Sequence, residues 1–329
     1  MMTVVQEKLD EYKHIYEQLK EKLRWKISDK RTLMIVASMY VVNDKPFHFP
    51  QFFELSQYVK ARAGFFSPLK SYSRFTIAAM LDVRFEQPIE AFHRLLELYD
   101  KLVAGGFSRG IFTYIAAAAM LSNREEYGEI LTRSLTIYKG MKAKHKFLTS
   151  SSDYPLAVLL GKHEEPVELL LERMEDFYEK LSRAGFSKGN DLQFLSHILS
   201  LHREVEQDIL IGRCAVLLQA LKQSGQKVKK MHYSTIGLLA LLEDGTEVIE
   251  EVGKAMEHLN HEKRFKAYRD VNFMMAVNFL VSDKISDSRM LETGLYTAIE
   301  AIVQAQQAAM VSYVAVISAS SSVSSSDGS

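Results

Sequence analysis

The sequence predicts an all-α protein built as a repeat array, and three observations predict it. Apolar residues recur at i, i+3, i+4 and i+7 along nearly the whole chain, the spacing of one helix face. Only six prolines and 16 glycines interrupt 329 residues, and no long alternating pattern of a strand competes. Finally, the chain repeats itself: Tyr99-Asp-Lys-Leu-Val-Ala-Gly-Gly-Phe-Ser-Arg-Gly110 returns as Tyr178-Glu-Lys-Leu-Ser-Arg-Ala-Gly-Phe-Ser-Lys-Gly189, with Phe107 and Phe186 79 residues apart. A fixed long period marks a repeat architecture.

The repeating unit holds four helices. The first begins near Val5, Ile89, Val167 and Val248 and carries Tyr16-Glu-Gln-Leu19, Tyr99-Asp-Lys-Leu102, Tyr178-Glu-Lys-Leu181 and the diverged Met256-Glu-His-Leu259. In the second copy, Ile89, Phe92, Leu95, Leu96, Tyr99 and Leu102 share one face, an amphipathic helix. Each copy runs into an apolar corner at Trp25-Lys-Ile27, Phe107, Phe186 or Phe265.

The second helix follows as Thr32–Val41, Phe112–Leu121, Leu192–Leu201 and Val271–Leu280. The third is Phe52–Arg62, Tyr127–Lys144, Val205–Gln223 and Ser288 to about Ser318, and the fourth is Arg74–Leu81, Tyr154–Leu160 and Thr235–Leu242. The corners Phe85-Glu-Gln-Pro-Ile-Glu90 and His163-Glu-Glu-Pro-Val-Glu168 match, and proline suits a helix start because its missing N–H would be unpaired there. About fifteen helices result, in four degenerate units of about 80 residues (1–84, 85–162, 163–244, 245–318), stacked as an α-solenoid or α/α superhelix. Residues 319–329 read as a disordered serine-rich tail.

Composition narrows the function classes. Lys+Arg and Asp+Glu both total 41, so the basic surplus of a nucleic-acid binder is missing. The one cysteine, Cys214, excludes an internal disulfide framework and a cysteine-rich zinc site. It lies in an apolar run and reads as a buried small hydrophobe. The N-terminus is charged from Glu7 onward with no apolar core of a secretion signal. The apolar stretch Ala308–Ala319 is shorter than the roughly 20 residues of a membrane span. The chain reads as cytoplasmic, with no transmembrane segment.

Two motifs stand out as candidate sites. The first is the corner Phe107-Ser108-Arg109 with its copy Phe186-Ser187-Lys188. Its structural reading is a helix ended by Gly106 or Gly185, a phenylalanine folded back, and a capping serine. Asp191 and Asp270 are further candidate caps. Its functional reading is a basic corner at a helix N-terminus that binds an anion or a partner, although Gly-Phe-Ser-Arg-Gly is poorer in glycine than a phosphate loop. The second is the proline-bracketed loop Lys45-Pro-Phe47-His48-Phe49-Pro50, which either plugs the N-terminal end of the array or forms a contact site.

Catalytic and metal patterns are weak. His258 and His261 have i,i+3 spacing with no third ligand placed by sequence, and no HExxH pair occurs. His197 takes the place of Ala118 and Val277 in the other copies, which makes it a partly buried histidine with a hydrogen-bond partner. No Gly-x-Ser-x-Gly elbow occurs. The pairs Glu125-Glu126, Glu164-Glu165 and Glu250-Glu251 fall on charged corners or helix faces, not in apolar pockets that would shift their pKa.

The paired Tyr-Asp/Glu-Lys-Leu…Gly-Phe-Ser-Arg/Lys-Gly corners, the proline-started helices and the serine-rich end resemble an uncharacterised all-helical family of Gram-positive bacteria, a domain of unknown function. The resemblance covers nearly the whole chain. It implies a bacterial cytoplasmic protein and brings no activity or catalytic residue with it.

The expected function is therefore a non-catalytic binding or scaffold role for a protein or peptide partner, with no cofactor. An α/α-toroid enzyme with a pocket built from inter-helix corners is the alternative. Membrane-surface association through Ala301–Ser318 is weaker, because that segment lacks a basic face.

Overall fold

The computed structural model describes residues 4–27, 29–121, 127–203, 205–242, 245 and 248–286. Among them run α1 (Val4–Leu23), α2 (Lys30–Val42), α3 (Phe49–Arg62), α4 (Ser73–Arg84), α5 (Pro88–Gly105), α6 (Ile111–Met120) and α7 (Tyr127–Lys144). They continue as α8 (Tyr154–Gly161), α9 (Val167–Arg183), α10 (Asn190–Ser200), α11 (Gln207–Gln223), α12 (Tyr233–Leu241), α13 (Ile249–His261) and α14 (Arg269–Ser286). No strand occurs among the described residues, so the chain is all-α. The fourth copy of the third helix, the serine-rich tail and the apolar segment after Ala301 lie outside the described residues.

The helix order repeats as the sequence periodicity requires: α1–α4, α5–α8, α9–α12, then α13 and α14. A further shared feature is a single 3-10 turn directly before the fourth helix of each complete round, at Pro68–Lys70, Ser151–Asp153 and Lys230–His232. In space the chain divides into two compact units, one centred on Glu7–Gly128 and the other on Glu129–Gln306.

Two kinds of helix alternate. In the second and fourth helices of each round nearly every residue is buried. In α8 all of Tyr154–Gly161 is buried, and in α12 all of Tyr233–Leu241. Such helices are apolar all round and sit inside the core. The first and third helices bury one stripe. In α9 the stripe is Val167, Leu170, Met174, Phe177, Tyr178 and Leu181. Each fully buried Leu or Phe contributes about 1.5–3 kcal/mol of transfer free energy. In the Glu7–Gly128 unit α2 packs on α4, α3 on α4 and α5 on α6; in the Glu129–Gln306 unit α9 packs on α10, α10 and α11 on α12, and α13 on α14. At one position α8 leaves no room for a side chain against α7. A Cβ on Gly161 would lie 2.5 Å from the Ser134 hydroxyl and 3.2 Å from the Ile130 carbonyl of α7.

Helix ends follow the local chemistry. Gly106 (φ 119°) and Gly185 (φ 102°) take the left-handed conformation that closes a helix. The next residue then donates back: Phe107 N–H to the Leu102 carbonyl at 3.0 Å and Phe186 N–H to Leu181 at 3.2 Å. Both phenylalanines are buried, as is Phe265. At the first corner the buried residue is Ile27, while Trp25 is 87% exposed. The starts of α6 and α10 differ from the serine caps expected. Their cap positions are Gly110 and Gly189, with no side-chain cap; Gly110 is extended, while Gly189 at φ 144° takes a conformation that favours glycine. Asp191 falls inside the first turn of α10.

Candidate functional site

The repeated corner is largely absorbed by packing. Phe186 meets Tyr233 edge to face at 4.8 Å, and the Ser187 N–H donates to the Tyr233 hydroxyl at 3.0 Å. The Gly189 N–H donates to the Tyr178 hydroxyl. Lys188 pairs with Glu179 at 2.6 Å and lies over the Tyr178 ring. Its amino group is held charged above its ordinary range, first by that hydrogen bond. In the other copy the Ser108 carbonyl accepts from the Thr113 hydroxyl. Phe107 is buried, whereas Arg109 is exposed and has no carboxylate partner among the described residues. The corners therefore diverge at the basic residue.

The aromatic loop packs inward. Phe47 sits 4.8 Å from Tyr40 and 5.6 Å from Phe52. Phe49 stacks on Phe53 at 5.5 Å under the Lys22 ammonium. Only His48 of the three is exposed. Nearby, the Tyr40 hydroxyl donates to Asp82 at 2.5 Å, beside a cleft of about 450 Å³ lined by Lys45, Glu54, Asp82 and Glu86.

Histidine–carboxylate pairs form at two of the 3-10 turns. Asp153 caps its own turn by accepting from the Ser150 N–H at 2.9 Å. Its other oxygen faces His197 Nδ1 at 3.8 Å. Both side chains are buried. Burial pushes the Asp153 carboxyl up to about 7 and pulls His197 down to about 3, with His145 adding to the effect. Both shifts disfavour charge, so we read the pair as neutral partners and not as an ion pair. Gln193 reaches Thr149 at 2.8 Å beside them. The adjoining cavity is about 10 Å³, room for about one water. His145 bonds Glu175 at 3.0 Å and leans on Tyr178 across its mouth. That space admits no substrate.

The second pair lies one round later. His232 accepts at Nδ1 from the Lys229 N–H, and its Nε2 is 3.5 Å from Asp270. Asp270, expected as a cap, instead binds Lys229 at 2.5 Å. Burial lowers His232 to about 4 against the pull of Asp270.

Here the junction is open. A cleft of about 1210 Å³ runs between the end of α11, the loop Ser224–Lys229, α13 and the start of α14. A sequence difference accompanies the contrast with the preceding round. Counting from the buried pair Met141 and Leu221, Gly225 stands where His145 does. Counting back from Leu181 and Leu259, Gly253 stands where Glu175 does. The two residues that latch one junction are both glycines in the next, and a Cβ on either would meet nothing within 4 Å.

The cleft's apolar wall is Ile249, Val252, Met256 and Phe273. Two of its carboxylates are matched by lysines, Asp270 by Lys229 and Glu250 by Lys254 at 2.7 Å, and Glu257 lies 3.6 Å from His261. Lys227, Lys266 and Arg269 also line it. They have no carboxylate partner among the described residues, so the unbalanced charge is positive. The sequence periodicity pointed to none of these five positions. Aligning the rounds residue by residue exposes the two glycines. Among the described residues, no cluster of three metal-ligating side chains forms, and His258 and His261 belong to a helix end instead.

These features define an all-α protein whose helices recur in a fixed order and whose open junction is rimmed by cations. A model of a family described as a protein of unknown function, DUF4003, matches residues 15–308, and the chain belongs to that family. It is 38% identical over 326 residues to an uncharacterized protein, YeaA, of Bacillus subtilis (strain 168), covering 98% of each chain. No solved structure matches it.

Proposed function

We propose that the protein is a non-catalytic binding protein that receives an acidic peptide segment of a partner in the cleft between α11 and α13. The observation that carries this reading is the cleft itself, with Lys227, Lys266 and Arg269 on its rim and without a carboxylate partner among the described residues. Its volume of about 1210 Å³ exceeds the roughly 300–1,000 Å³ of small-molecule pockets and suits a peptide. Half-buried Ile249 supplies apolar contact, with Val252, Met256 and Phe273 buried behind it, and the cations supply orientation and rate of encounter. A catalytic reading draws less support. The shifted groups Asp153 and His197 face a water-sized space, and His232 is held by Lys229 and Asp270.

The test is a fluorescein-labelled glutamate-rich peptide titrated by polarisation. Binding should saturate and weaken as salt rises, because exposed charges are screened. The triple variant Lys227→Glu/Lys266→Glu/Arg269→Glu should lose it. Equal binding by wild type and variant, or none by wild type, would sink the reading.

A further inference from the structure

We propose that the loop between α3 and α4, together with the corner between α5 and α6, docks onto an anionic lipid bilayer surface. Phe65 and Phe66 are 85% and 95% exposed, and their rings meet edge to face at 4.9 Å. Two adjacent phenylalanines left in water cost solvation and give the fold little packing in return.

The loop is held at its base. Ser67 N–H donates to the Gly64 carbonyl, and the Ser67 hydroxyl meets the Leu69 N–H at 3.2 Å and the Tyr114 hydroxyl at 3.0 Å. Tyr114 in turn stacks on Tyr99 at 3.9 Å. The base of the loop therefore rests on α6, next to the corner that carries Arg109.

Along the chain the charge flanking the loop and the corner has one sign, although Asp100 acts on Tyr114 at the base of the loop. From Lys60 to Leu81 the chain contains no carboxylate, and none lies between Lys101 and Leu121. Lys70 bends back to the Lys60 carbonyl at 2.9 Å, and Arg62 lies over the Tyr58 ring. Lys60, Arg62, Lys70 and Arg109 have no carboxylate partner among the described residues. Basic residues at the end of α3 also suit the helix dipole, but the dipole accounts neither for the phenylalanines nor for Arg109. Interfacial aromatics combined with lysine and arginine match an anionic leaflet, which takes the rings at headgroup depth and the cations at its surface. Among the described residues no helix is long and apolar enough to cross a membrane, so the contact is peripheral.

The test is flotation of the full chain with phosphatidylcholine vesicles and with vesicles containing phosphatidylserine. Wild type should float with the phosphatidylserine vesicles, and high salt should reduce it. Phe65→Ser/Phe66→Ser should weaken binding about tenfold or more, as expected when buried aromatic area is lost. Arg62→Glu/Arg109→Glu should weaken it comparably. These positions are exposed, and a thermal melt matching wild type confirms that the variants fold. Wild type remaining unfloated with both vesicles overturns the proposal. So does a phenylalanine variant that floats as well as wild type, which would leave the cations as a surface for an acidic protein. The cleft variant Lys227→Glu should float normally, so this proposal and the peptide reading fail separately.

Discussion

Burial acts on Asp153 and His197 in opposite directions, and stability should show it. Asp153 is raised from 3.8 to about 7, so its contribution is full below about pH 3.8 and is lost as pH rises through 7. His197 is lowered from 6.5 to about 3, so its contribution is full above about pH 6.5 and is lost as pH falls toward 3. In the wild type the two trends offset each other. Asp153→Asn should leave a protein whose melting temperature falls as pH drops from 6.5 to 4. His197→Phe should leave one that weakens as pH rises from 4 to 7. Either slope is bounded at about 1.4 kcal/mol per pH unit. Parallel slopes in both variants would contradict neutral pairing. Cys214 offers a simpler check. It is buried and its thiol is pushed up by desolvation, so Ellman's reagent should react with it only after unfolding.

At the scale of the element, the alternation of fully buried and one-sided helices makes the α7–α8 contact sensitive to volume. Gly161→Ala would force a Cβ against the Ser134 hydroxyl and the Ile130 carbonyl. It should cost about 1–3 kcal/mol, measured by urea denaturation, while Gly128→Ala, which meets no neighbour, should cost far less. The helices themselves were readable from 3.6-residue periodicity, since a one-sided stripe such as Leu170–Met174–Phe177–Leu181 has no other use. Their starts were less readable. A serine or aspartate near a helix start looks like a cap in any sequence, yet glycine holds the cap position of α6 and α10 with no side-chain cap, and Asp270 is taken by Lys229. The first corner, Trp25-Lys-Ile27, left two apolar residues as candidates for the buried place. The buried position went to Ile27, whose N–H returns to the Leu23 carbonyl.

Over the whole molecule, zero net charge conceals an order along the chain. Cations gather after third helices, as at Lys60–Lys70 and Lys222–Lys230, and carboxylates gather before first helices, as at Glu86–Glu90 and Glu164–Glu168. That order complements the helix dipoles, and it leaves positive corners available for ligands. Composition hides it because the two sets cancel. The cleft was hidden for a different reason: two of its lining residues are Gly225 and Gly253, and a glycine announces nothing about the residue that stands at the same place one round earlier. Refilling those positions gives the most direct test. Gly225→His with Gly253→Glu puts a histidine and a carboxylate at the positions held by His145 and Glu175 one round earlier; Gly225 is left-handed (φ 79°), so the histidine strains the turn and a thermal melt first establishes that the variant folds. The glutamate-rich peptide should then bind the double variant at least about tenfold more weakly than wild type, with the loss of a central contact setting the scale. Undiminished peptide binding by a folded double variant would contradict the cleft as the site.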